Sequence, residues 1–239
     1  MRMHDLAYEL QAALSRLVQA VGLPLALLAW LTVAGGALAL HLLLRGVELT
    51  RAERRQALGV GLLALVSHLQ DIAFTLWVTP DLAIEANPIW RTVLAGAGLP
   101  VAIAYGLTGK LLLALLSWQL FALYLAQRRG LYPPRDLPPG FRPFWYAYGA
   151  GRGLRRLVAW VNLFAFAFPL AAPLMLYVSL LNTAEAPWLL RVLPPWPAVC
   201  LAWVATTAVA WAFWTWRAWE RWRAGEAGAT LGQAGAPTI

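Results

Sequence analysis

The sequence predicts an all-α protein, a polytopic transmembrane helix bundle of five spans with an N-terminal amphipathic helix and a short helix between spans two and three. Composition is the first observation behind this. Of 239 residues, 61% are hydrophobic and only 13% charged, with a mean hydropathy of +0.61, outside the balance of a soluble domain. The second is run length: several apolar stretches exceed the roughly 18 residues that suggest a bilayer span, and in lipid a helix satisfies every backbone N–H and C=O internally. The alternating segments of about ten residues that mark a transmembrane barrel are not evident.

Taken in order, Leu6, Leu10, Leu14, Leu17 and Val21 recur at spacings of three and four, with Arg2, Asp5, Glu9 and Arg16 between them. That pattern makes residues 1–20 an interfacial amphipathic helix. The apolar run 21–44 is too long for a signal-peptide core and lacks a small-residue cleavage site, so it is the first span. A basic turn carrying Arg45, Arg51, Arg54 and Arg55 against Glu48 and Glu53 leads into span two, 57–79, which Pro80 ends. Asn87-Pro88 then has the form of a helix start, because asparagine caps orphan N–H groups and proline suits the first helical position. A short interfacial or re-entrant helix is expected from Pro88 to about Leu94, broken by Ala-Gly-Ala-Gly at 95–98 before Pro100 opens span three, 100–125.

Residues 127–156 carry seven arginines, two Pro-Pro pairs and a run of aromatics from Phe141 to Tyr148. Such a loop is expected to lie on the membrane surface, basic groups on anionic headgroups and rings in the interface, with docking of a soluble partner as the alternative. Span four, 157–181, holds Asn162 as an expected interhelical hydrogen bonder and Pro169 and Pro173 as kinks. Span five, 196–216, closes in a collar of Arg217, Trp219, Arg221, Trp222 and Arg223. Residues 1–224 thus form a single transmembrane domain, and the small, polar segment 225–239 is expected to be a disordered tail.

The net charge of +8 arises from 18 arginines and one lysine against 11 acids. Because the arginines lie between apolar runs, they report topology and attraction to anionic lipid, not nucleic-acid binding. Fourteen basic residues follow spans one, three and five and four lie on the other side, so the positive-inside rule places the N-terminus outside and the C-terminus in the cytoplasm. The single Cys200 excludes an internal disulfide. Fourteen tryptophans, eight of them from Trp188 onward, fit interface anchoring and could equally face a membrane partner subunit.

Asp71 and Lys110 stand out, because a charge near the bilayer centre costs about 2.5–3.5 kcal/mol on insertion scales and needs compensation. His68, Asp71 and Thr75 are three and four residues apart and share a helical face. Counting from Thr79 and Pro100 at about 1.5 Å per residue puts His68, Asp71 and Lys110 at one level, roughly 12–16 Å deep. Spans joined by a short connection are usually neighbours, so an Asp71–Lys110 ion pair is expected, with Glu85 and Asn87 in the loop above it. The pair could lock helices in a structural or assembly subunit, could bind an ion, proton or lipid headgroup, or could serve an intramembrane lipid-modifying enzyme. The sequence has no His-Glu-xx-His, no Gly-x-Ser-x-Gly and no nucleophilic cysteine in a polar setting, a metal on His68, Asp71 and Glu85 is poorly supported, and no cofactor is expected.

Asp71-x3-Thr75, Glu85-x-Asn87-Pro88 and Lys110 in the following span together resemble a family of small prokaryotic membrane proteins of unknown function. Its members carry an Asp and a Thr in one helix, a Glu-x-Asn-Pro loop and a Lys in the next helix. The likeness covers about residues 57–125. It implies a prokaryotic cell membrane and implies that Asp71, Thr75, Glu85, Asn87, Pro88 and Lys110 act as a unit. It supplies no activity, substrate or cofactor.

Overall fold

The fold was obtained as a computed structural model that describes residues 13, 16, 20–83, 87–149, 154–174 and 196–234. Most of the N-terminal amphipathic helix, Glu85, residues 175–181 at the end of span four, the 182–195 connection and residues 235–239 lie outside the described residues. Of the described residues 87% are helical and none is in a strand, which makes the chain all-α. The helices are α1 (Leu23–Leu44), α2 (Arg51–Val78), α3 (Pro88–Ala97), α4 (Leu99–Arg128), α5 (Phe141–Gly149), α6 (Leu154–Ala167) and α7 (Trp196–Ala234), with 3-10 turns at Arg129–Leu131 and Phe168–Ala171. Among the described residues, five segments are long and apolar enough to cross a membrane: α1, α2, α4 with its 3-10 turn, Leu157–Leu174 and Ala198–Gly225. This is the arrangement of a multi-pass membrane protein.

Local sequence explains where the helices start. Thr50 accepts a hydrogen bond from the Glu53 N–H while the Glu53 carboxylate accepts one from the Thr50 N–H, a reciprocal cap that starts α2 six residues before its apolar run. Asn87 Oδ1 accepts from the N–H groups of Ile89 and Trp90, and Pro88 occupies the first turn of α3. Gly98 separates α3 from α4 at φ +83, a conformation open to glycine at little cost.

Helix ends differ from the spans because an apolar run marks the hydrocarbon layer and not the limit of hydrogen bonding. Helix α4 continues through Arg128, and α7 runs through the Trp/Arg collar and past Gly225, where sequence predicts a disordered tail, to Ala234. Once a helix is nucleated each further residue adds one bond, which carries α7 on through Gly225, Gly228 and Gly232 although glycine disfavours a helix.

Helix α4 is the centre of the bundle. It packs antiparallel along α2, its most extensive partner, and also touches α1, α3 and α6; α7 packs on α5 and α6. One apolar cluster joins Ala57 to Phe121, Tyr124, Leu125 and Phe166, and a second joins Ala26, Ile72, Leu82, Trp90 and Ala102. The third cluster corrects the expectation for the aromatic loop. Phe144 and Tyr148, one turn apart on α5, are buried against Trp219 and Trp211 of α7, while Phe141 and Tyr146 stay exposed. The amphipathic spacing of α5 therefore turns half of these rings inward.

Asn162 acts between helices as its sequence position suggests. It is fully buried, donates from Nδ2 to the Tyr124 carbonyl at 3.2 Å, and accepts at Oδ1 from Tyr148 Oη and Trp211 Nε1 at 3.3 and 3.2 Å. One amide thus ties α4, α5, α6 and α7 together. Hydrogen bonds between helices in lipid average about 0.6 kcal/mol each, so Asn162→Leu is expected to cost about 2 kcal/mol and to lower the thermal midpoint of the purified protein by several degrees.

Candidate functional site

The site is built on the α2–α4 pair, whose register two ionic contacts define. Glu53 Oε1 accepts from Arg128 Nη2 at 2.8 Å and from Arg129 Nη2 at 3.0 Å at one end, and Lys110 Nζ lies 2.6 Å from Asp71 Oδ2 further along. Glu53 and Asp71 are 18 residues apart, and so are Lys110 and Arg128. At 3.6 residues per turn 18 residues make five turns, so both acids share one face of α2 and both bases one face of α4. The Glu53 contact is absent from the sequence-based site, although this matched spacing announces it.

At the Asp71–Lys110 pair both side chains are largely but not fully buried, 14% and 18% exposed. His68, one turn from Asp71 on the same face, is 6% exposed, and its Nδ1 is buried without a hydrogen-bond partner among the described residues. Thr75 follows one turn from Asp71 on the other side and is half-buried. The chain then turns at Thr79–Ala83. The Ala83 N–H and the Thr79 hydroxyl both donate to Asp81 Oδ1, which holds the exposed Asp81 carboxyl below its ordinary pKa. Leu82, at φ +59, inserts its side chain into the second apolar cluster.

Helix α3 lies against the first part of α4, with the Trp90 indole N–H donating to the Ala102 carbonyl. This orientation brings Asn87, at the start of α3, to the level of Lys110. The two line one groove of about 170 Å³ between α1, α3 and α4, together with Trp30, Tyr105 and Gly109. A wider apolar trough of about 660 Å³ adjoins it, sharing Trp30 and Tyr105 as walls. Within those walls the Trp30 N–H donates to Thr108 Oγ1 and the Tyr105 hydroxyl to the Ala26 carbonyl. Both polar groups are thus spent inside the protein, while a lysine ammonium has three N–H donors and Asp71 Oδ2 needs one of them.

The structure therefore brings Asp71 to Lys110, and Asn87 and Lys110 to one groove; His68 and Thr75 flank Asp71 on α2, and Glu85 lies outside the described residues. The contribution of α1, through Ala29, Trp30 and Val33, is missing from the sequence-based site. A span that is apolar on every face carries no signal of which face meets its neighbour. In comparisons with protein-family models, with curated proteins and with solved structures, nothing matches this chain.

Two glycines of α4 distinguish packing from open space. A Cβ at Gly106 would collide with the Trp90 ring, including Cε2 at 2.7 Å, whereas a Cβ at Gly109 would meet nothing within 4 Å. Helical glycine costs roughly 0.5–1 kcal/mol relative to alanine. Gly106→Ala is accordingly expected to lower the thermal midpoint, and Gly109→Ala to leave it unchanged or raise it by a few degrees.

Proposed function

We propose that this chain is a multi-pass protein of a prokaryotic cell membrane whose Asp71/Lys110 centre binds a polar group, namely an ion, a proton or a lipid headgroup. The N-terminus is outside and the C-terminus cytoplasmic, as the arginine distribution supports, so that the Gly98 turn between α3 and α4 faces outward and Asn87 and Lys110 lie beneath it. In this reading Asp71 orients Lys110, Asn87 lines the approach, and Thr75, His68 and Glu85 complete the polar surroundings, in keeping with the resemblance of these residues to one family pattern.

The observation that carries the proposal is the groove itself. It reaches the only lysine of the chain, and Gly109 leaves it unfilled at a cost in helix stability. The contrast with the Glu53 clamp adds support: Glu53 is saturated by a helix cap and two arginines, whereas Lys110 meets one carboxylate and borders the groove. Intramembrane ionisable groups are rare and commonly mark binding sites and pathways. A pure helix lock would need neither the groove nor the open glycine.

The single lysine supplies its own probe. With 13Cε-labelled lysine in the full chain reconstituted in phosphatidylcholine nanodiscs, the one side-chain NMR signal is expected to move on titration with at least one of sodium chloride, glycerol phosphate, phosphatidylglycerol or acid. Gly109→Leu, which fills the groove, should abolish that response while the protein stays folded. A Lys110 signal indifferent to all four additions would sink the proposal.

Removing one partner of a buried pair leaves the other uncompensated, which typically costs about 3–5 kcal/mol, and less here because both groups are partly exposed. Asp71→Asn is expected to lower the thermal midpoint less than Glu53→Gln, since Glu53 serves a helix cap and two arginines at once. A larger loss at Asp71 would favour the lock over binding.

A further inference from the structure

The cap end of the α2–α4 pair carries another cavity, separate from the Lys110 groove and its adjoining trough. It measures about 400 Å³ and is lined by Gln56 of α2 and by Phe213, Trp214, Arg217, Glu220 and Arg221 of α7. Gln56 follows the basic turn before span two, and Arg217 and Arg221 follow the apolar part of α7. The cavity therefore sits where hydrocarbon gives way to headgroups, with rings on its apolar side and guanidinium groups on its polar side.

Three of its features specify an occupant. Arg217 is 58% exposed and lies over the Phe213 and Trp216 rings at 5.9 and 5.6 Å, a placement that orients its guanidinium at the interface. Its contact with Glu220 is long, 3.4 Å, so two arginines face one acid and the cavity is net positive. Guanidinium forks match phosphate, and the Glu220 carboxylate beside them accepts from a ligand that also carries O–H groups.

We infer that this cavity holds the headgroup of one anionic phospholipid of the phosphatidylglycerol type. Its phosphodiester lies on Arg217 and Arg221, and its glycerol hydroxyls donate to the Glu220 carboxylate. Its chains enter the hydrocarbon beside Phe213. Phosphatidylcholine offers the phosphate but neither the hydroxyls nor the net negative charge.

The test uses the full-length chain in mild detergent, with bound lipid counted by native mass spectrometry after addition of phosphatidylglycerol or phosphatidylcholine. Wild type is expected to retain phosphatidylglycerol at least tenfold more tightly than phosphatidylcholine, and R217Q/R221Q to hold one molecule fewer. Both arginines are on the surface, and an unchanged thermal midpoint verifies that the double variant is folded. The inference is overturned if the double variant keeps the wild-type count, if the two lipids bind equally, or if glycerol phosphate displaces the lipid at equal concentration, which would make the cavity a site for free phosphate.

Discussion

Two charge contacts at matched spacing govern the α2–α4 pair, and the rest of the bundle is arranged around it. In a bilayer, apolar side chains gain little by leaving lipid for a neighbouring helix, so hydrophobic pattern cannot choose the register of two spans. Charges can, because each unpaired one is costly in hydrocarbon. Glu53 and Asp71 on one face of α2, opposite Arg128 and Lys110 on one face of α4, satisfy both pairs at one alignment. Glu53 also closes the capping box that starts α2, so a single carboxylate sets both where the helix begins and what it lies against.

The two contacts are unequal. Glu53 is buried and receives hydrogen bonds from Thr50, Arg128 and Arg129, which leaves little capacity for anything else. Lys110 meets Asp71 on one side and borders an unfilled groove on another. A saturated pair is suited to structure and an unsaturated cation to recognition. Asn87 belongs to both descriptions: its side chain caps α3, and its position makes it the polar end of the groove.

Much of this was legible in the residues. Run length identified the five spans, Asn87-Pro88 announced α3, and depth counting placed Asp71 and Lys110 at one level. What escaped was lateral: α1 is uniformly apolar, so nothing in it pointed to the face that walls the groove with Trp30. The aromatics of α5 read as interfacial because composition does not distinguish a ring in headgroups from a ring packed on another helix, and only the spacing of Phe144 and Tyr148 hinted at burial. Glu53 was read as part of a basic turn, although its separation from Asp71 equals that of Arg128 from Lys110.

The matched spacing also restricts motion. A slip of α4 along α2 by one turn, about 5.4 Å, would set Lys110 against Ser67 or Thr75 and strip both carboxylates of their partners at once. Piston movement within this hairpin is thereby blocked, and it behaves as a stator. Helices α1 and α3 meet α4 through neutral hydrogen bonds and apolar contacts, among them Tyr105 to Ala26, Trp30 to Thr108 and Trp90 to Ala102. Any change in the width of the groove is left to these two elements, with Gly98 as the pivot of α3.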